Sequence, residues 1–131
     1  MDSKFQGINP QKFGIDKKEI LGKVVIVTGG GRGIGKELCI LLSKLGAKIV
    51  IAELTEEGKQ VENIINESGN EAKYIYTDVS DEKSVVNMVC EVLEHYGHID
   101  VLVNNAINCP VNSVLDTSLE EFDKTYNINI K

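Results

Sequence analysis

The stretch Thr28-Gly29-Gly30-Gly31-Arg32-Gly33-Ile34-Gly35 decides how this chain is read. An apolar, β-branched run, Val24 to Val27, leads into it. An amphipathic segment, Ile34 to Leu45, leads out. Strand, glycine turn and helix in that order form the context in which a glycine pattern carries meaning. The need for glycine is steric: an anion reaches the main chain closely only where no Cβ intervenes, and a tight turn takes φ > 0 most readily at glycine. The following helix offers unpaired backbone N–H groups and the positive end of its dipole. The stretch therefore reads as a seat for the pyrophosphate of a dinucleotide, at the carboxyl end of the first strand.

Downstream, strand and helix signals alternate. In the first helix Ile34, Leu38, Leu41, Leu42 and Leu45 recur on one helical face, and Gly46 is a plausible terminator. A second strand is expected over Lys48 to Ala52, with Glu53 at its carboxyl end. Thr55 is the expected cap of the second helix, with Glu56 and Glu57 in its first turn and Val61, Ile64 and Ile65 as its buried stripe. Glu56, Glu57, Glu62, Glu67 and Glu71 read as a solvated face. The third strand is placed at Lys73 to Thr77, followed by Asp78 and Val79. Ser80 or Asp81 caps a third helix carrying Val85, Val89, Val92, Leu93 and Tyr96, and Gly97 closes it. The fourth strand is placed at Asp100 to Asn104, and Ser118-Leu119-Glu120-Glu121 makes a capping box for a last helix through Phe122 and Tyr126. This alternation implies right-handed βαβ units and a parallel sheet, so the fold class is α/β. Gly29, Glu53, Asp78 and Asn104 all fall at strand carboxyl ends, the edge where open α/β sheets bind ligands.

Residues 1–22 read as an N-terminal extension and residues 23–131 as the domain. The extension mixes Lys4, Lys12, Asp16, Lys17 and Glu19 with isolated Phe5, Phe13, Ile15, Ile20 and Leu21, and holds no apolar core of a signal peptide. The bland reading of it is a loosely ordered terminus. Among 131 residues, 14 basic and 20 acidic side chains give a formal charge of −6. That balance speaks against nucleic acid and against an anionic membrane surface, both of which are bound through basic side chains. Cys39, Cys90 and Cys109 are scattered and form no Cys-x-x-Cys, so neither zinc nor a dithiol is indicated and a reducing, cytoplasmic setting is expected. His95 and His98 flank Gly97 without a ligand cluster around them, so no metal site is expected.

Four motifs carry a family resemblance. Thr28-Gly29-x-x-x-Gly33-x-Gly35 resembles the glycine turn of the short-chain dehydrogenase/reductase family. Asp78-Val79 is similar to its adenine-contacting pair, Asn104-Asn105-Ala106 to its NNAG motif, and Tyr126-Asn127-Ile128-Asn129 to the helix segment ending in its catalytic Asn. The resemblance spans residues 20–131. It implies a Rossmann-type parallel sheet in strand order 3-2-1-4 with helices on both faces. It further implies NAD or NADP as cofactor and hydride transfer between nicotinamide and an alcohol or carbonyl substrate. Carried over by position, Gly29, Gly31, Arg32, Gly33, Ile34 and Gly35 hold the pyrophosphate, with Ile34 giving its backbone N–H. Glu53 takes the adenine-ribose hydroxyls, Asp78 and Val79 meet adenine, Asn105 lies near the nicotinamide-side ribose, and Asn129 is the catalytic Asn.

Charge then argues the choice of cofactor. Glu53 favours a free 2′-hydroxyl and repels a 2′-phosphate, with Glu56 and Glu57 adding to that repulsion. Arg32 pulls toward NADP. The expectation is NAD over NADP. Two departures stand out. Ile107 occupies a position where the family has Gly, and no Tyr-x-x-x-Lys occurs: Tyr74, Tyr76, Tyr96 and Tyr126 are followed four positions on by Asp78, Ser80, Asp100 and Ile130. The expectation is thus a domain truncated after its fourth helix, which binds cofactor without turning it over and exposes a fourth-strand edge open to self-association. The alternative kept open is a non-catalytic dinucleotide-binding or sensing module.

Overall fold

The computed structural model describes residues 16–130. Phe5, Phe13 and Ile15 of the expected extension lie outside them. A short turn of helix, α1 (Lys17–Ile20), precedes the domain and is capped by Asp16, with Ile20 packed against the core. Four strands follow: β1 (Val24–Thr28), β2 (Lys48–Glu53), β3 (Glu71–Tyr76) and β4 (Val101–Val103). Between and after them run α2 (Gly33–Lys44), α3 (Glu57–Glu67), α4 (Glu82–Tyr96) and α5 (Leu119–Asn129). The sheet is parallel throughout, in the order β3-β2-β1-β4. That is the order the resemblance implies. β4 is shorter than the expected Asp100 to Asn104, with only its apolar centre of three residues paired.

β1 is buried along its whole length, which explains its unbroken apolar run. Val25 and Val27 face one layer, with Ile49, Ile51 and Ala72, under Cys39 of α2 and Val61 and Ile65 of α3. Val24 and Ile26 face the other, with Val50, Ala52 and Ile75, under Met88 and Val92 of α4. Each fully buried Val or Ile is worth about 1.5–3 kcal/mol by burial alone. Because every pairing is parallel, all strand carboxyl ends reach one edge together.

Several local expectations are corrected. The buried line of α2 is Gly35, Cys39 and Ser43, not the leucine stripe; Ile34 is 81% exposed. Small residues bring α2 close to the sheet; Leu38, Leu41 and Leu42 flank that contact, only partly covered, while Leu45 at the C-cap is buried as expected. Burial pushes the Cys39 thiol up to about 12, so it stays protonated and unreactive. Thr55 does not cap α3: its hydroxyl turns to Glu53 and Glu57, and Glu56 stands at the N-cap with no side-chain bond. Ile64 is exposed, whereas Glu62 is buried. Glu62 accepts a hydrogen bond from Tyr74 N–H (2.9 Å), which pins α3 to β3, and pairs with Lys59 on its own helix. Asp81 caps α4 and Gly97 ends it at φ +78°. The Ser118–Glu121 capping box of α5 is formed in both directions.

At the opposite edge, Asp100 ties β4 to β1. Its carboxylate accepts from Val24 N–H (2.8 Å) and from Lys23 Nζ (3.0 Å), and its own N–H donates to Val24 O (3.0 Å). The Val24 amide first, then Lys23, hold the Asp100 pKa below its ordinary 3.8. A carboxyl with a lowered folded pKa adds stability above its unfolded value and loses it as pH falls through the folded one. Asp100→Asn is therefore expected to flatten acid unfolding below about pH 4, measured by circular dichroism across pH. An unchanged acid limb would show that the clasp adds nothing.

Candidate functional site

The glycine turn bridges β1 and α2 at the carboxyl edge. Gly33 sits at φ +53° with open space above it, a conformation costly for any other L-residue. Arg32 occupies the N-cap of α2 in an extended conformation and makes no capping bond. The first-turn N–H groups of α2 thus face outward without a side-chain acceptor, unlike those of α4 and α5, which Asp81 and Ser118 serve. Such a helix end is suited to an anion.

Beside it opens a cleft of about 460 Å³. Gly29, Arg32, Gly33, Ile34 and Gly35 form its floor and one rim. Glu53, Leu54 and Thr55 form the β2 wall, Thr77, Asp78 and Val79 the β3 wall, and Asn105 to Asn108 the β4 wall. Lys124 and Ile128 of α5 close one side. The structure thus brings nine of the eleven candidate residues to one cleft. Gly31 lies behind the turn, on the groove between α2 and α3. Asn129 is also absent from the lining. Ile107, the residue in the expected Gly position, is 68% exposed on the cleft rim.

Glu53 is only 9% exposed. Its Oε2 accepts from Gly31 N–H (3.1 Å), and its Oε1 accepts from Leu54 N–H (2.8 Å) and Thr55 N–H (3.2 Å). These three amides satisfy a charge that burial would otherwise penalise. The Thr55 hydroxyl has one proton to share between Glu53 (3.4 Å) and Glu57 (3.3 Å). Asp78 accepts from the N–H (2.9 Å) and hydroxyl (2.6 Å) of Ser80, while its own N–H donates to Ser84 Oγ (2.9 Å). Asn105 Nδ2 donates to Thr28 O (3.0 Å) and Gly29 O (3.1 Å), locking the β4 loop onto the turn.

Asn129 exchanges two bonds with the main chain of Asn108: Asn108 N–H donates to Oδ1 and Nδ2 donates to Asn108 O, each at 2.9 Å. Asn108 Nδ2 also donates to Thr125 Oγ1 (3.1 Å), one helical turn before Asn129. Asn108 and Lys124 were not singled out by sequence; the pairing of Asn108 with α5 spans 21 residues and leaves no local pattern. Thr28 was read only as the first residue of the glycine turn, whereas its hydroxyl organises the β4 loop. Among the described residues no group of three or more His, Cys, Asp or Glu is placed to hold a metal.

Sheet order, glycine turn and carboxyl-edge cleft define a Rossmann-type α/β domain. The sequence profile of short chain dehydrogenase matches residues 23–131. An uncharacterized oxidoreductase of Thermotoga maritima is 46% identical over 110 residues, covering 83% of this chain and 43% of that protein. A trihydroxynaphthalene reductase of Colletotrichum orbiculare is 35% identical over 131 residues, covering 98% and 46%. A crystal structure of a short chain dehydrogenase/reductase from Burkholderia phymatum in complex with NAD superposes at a TM-score of 0.82, with 27% identity, covering 86% of this chain and 40% of that one. The chain belongs to the short chain dehydrogenase family. It spans less than half the length of these relatives.

Proposed function

We propose that the cleft binds NAD, and that the chain serves an oxidoreductase passing hydride between nicotinamide and an alcohol or carbonyl. When bound, the nicotinamide supplies the hydride chemistry and the chain orients it. The uncapped first turn of α2 supports a pyrophosphate at Gly33, Ile34 and Gly35. The position of Asp78 and Val79 on the β3 wall supports an adenine there. Asn105, bonded across the turn, supports the nicotinamide-side ribose, and the two bonds between Asn129 and Asn108, which lines the cleft, support Asn129 as the family's catalytic Asn.

The observation that carries NAD over NADP is the seated Glu53 carboxylate in the cleft wall. A ribose diol donates to it, whereas a 2′-phosphate meets its charge in a half-enclosed site and must be desolvated against it. Because these 131 residues hold no Tyr-x-x-x-Lys, binding is the test rather than turnover. In calorimetric titration NAD is expected to bind at least about tenfold tighter than NADP, and Glu53→Ala to erase that margin. Tighter binding of NADP by the wild type would overturn the choice.

Three free cysteines in separate places, Cys39, Cys90 and Cys109, support a reducing compartment such as the cytoplasm. No helix among the described residues is long and apolar enough to cross a membrane. Self-association is proposed through the outer edge of β4, where Leu102 is 53% exposed at the end of the sheet order. Phe122, Tyr126 and Ile130 add exposed apolar surface on or beside α5. Sedimentation velocity is expected to show mass rising with concentration, and Leu102→Lys to suppress it. A monomer at every concentration would refute this interface.

A further inference from the structure

We propose that Gly31 is a positioning residue for nucleotide choice: by lacking a side chain it seats the Glu53 carboxylate against the turn and so fixes the acceptor that the adenosine ribose meets. The inference rests on the reading of the cleft as an NAD site.

A Cβ at Gly31 would lie 2.8 Å from Glu53 Cγ, 3.0 Å from Glu53 Oε2 and 3.0 Å from Gly58 N. Two of these neighbours belong to one side chain, and the third is main chain at the head of α3. The main chain cannot retreat easily. A Cβ at Gly58 would itself stand 2.4 Å from Tyr74 Cδ2 and 3.0 Å from Glu53 Cβ, so α3 already lies tight on β2 and β3. Glu53 is the part that yields. Swinging away, it would surrender the Gly31 amide on Oε2 and strain the Leu54 and Thr55 amides on Oε1. Gly31 does not line the cleft, whereas Glu53 does. A change at position 31 therefore reaches the ligand through Glu53. A seated carboxylate accepts from a ribose diol and repels a 2′-phosphate; a displaced one does neither well.

The test uses the 131-residue chain and calorimetry with NAD and NADP on four proteins: wild type, Gly31→Ala, Glu53→Gln and the double variant. Gly31→Ala is expected to lower the preference for NAD by about tenfold, as Glu53→Gln does by itself. In the Glu53→Gln background, Gly31→Ala should change the preference no further, since the two act as one unit. The ratio is the decisive readout, because a general loss of folding weakens both nucleotides alike. The same factor in both backgrounds would overturn the proposal, for the methyl would then act on the nucleotide directly. A wild type that binds neither nucleotide would remove the NAD reading instead. The seating is then decided by the free protein: Glu53→Gln should move the Gly31 amide proton resonance upfield and speed its exchange with solvent about tenfold. An unmoved Gly31 resonance would overturn the proposal, and that arm does not depend on Gly31→Ala folding.

Discussion

Gly35→Ala is expected to abolish nucleotide binding and to lower the melting temperature by roughly 8 °C. A Cβ at Gly35 would lie 2.2 Å from Gly29 O, 2.5 Å from Asn105 Nδ2 and 3.0 Å from Gly29 C. Two of these atoms are main chain of the turn itself. The third is the amide that holds the β4 loop to Thr28 and Gly29. The one side-chain end among them, Asn105 Nδ2, is held by two hydrogen bonds that it would have to surrender to give way. Relieving the overlap moves either the turn or α2, at about 3 kcal/mol for overpacking of this kind. Against that stands the better helix propensity of alanine, worth about 1 kcal/mol. The clash wins, with a net loss of about 2 kcal/mol, which gives the stated shift for a domain of this size. The functional loss should exceed the loss of stability. The same displacement carries the first-turn amides of α2 off the line along which a pyrophosphate meets them, and an alignment error there weakens every bond at once. Differential scanning calorimetry and NAD titration check the two parts separately. Unchanged melting together with retained binding would mean that the turn relaxes without cost, and the cradle would lose its physical basis.

The same residue shows where sequence reading succeeded and where it stopped. The glycine turn was legible because strand, glycines and helix are contiguous, and their spacing is a local property. The capping box at Ser118 and the terminator Gly97 were legible for the same reason. The buried face of α2 was not. Hydropathy points to Leu38, Leu41 and Leu42, but the contact with the sheet runs through Gly35, Cys39 and Ser43, since close approach selects small residues rather than apolar ones. Glu62 was hidden likewise: five glutamates along one stretch look solvated, and only the partner Tyr74 N–H on β3 explains why one of them is buried. Glu53, Asp78 and Asn105 could be placed at strand ends from sequence. The bonds of Asn105 could not, because its partners lie 76 and 77 residues away, nor could the bond between Glu53 and the Gly31 amide, 22 residues apart.

Thr28→Val is expected to cost about 3 kcal/mol and to release the β4 loop, whereas Thr28→Ser costs about 1 kcal/mol. The residue is 6% exposed, and valine has nearly its shape, so packing is conserved while the hydroxyl is lost. That hydroxyl uses its full capacity: it accepts from Asn105 N–H (2.9 Å) and Ala106 N–H (3.0 Å) and donates to Val103 O (3.3 Å). Valine leaves two amides and a carbonyl to find water or remain unpaired, and an unpaired buried group costs about 1–3 kcal/mol. Water reaches some of them at the cleft, which holds the sum near the lower end. The consequence is local before it is global. β4 pairs with β1 over Val101, Leu102 and Val103 alone, so few ladder bonds resist once the hydroxyl is gone. Hydrogen exchange should therefore accelerate first at Asn105 and Ala106, ahead of β1 and β2, whose residues are buried between helices. Nucleotide affinity should fall with it, because Asn105 and Ala106 form the β4 wall of the cleft. Serine keeps all three bonds and loses one methyl, so its exchange pattern should match the wild type. If valine and serine behave alike, the hydroxyl is not what joins the two strand ends, and the cleft wall must be held by the Asn105 side chain instead.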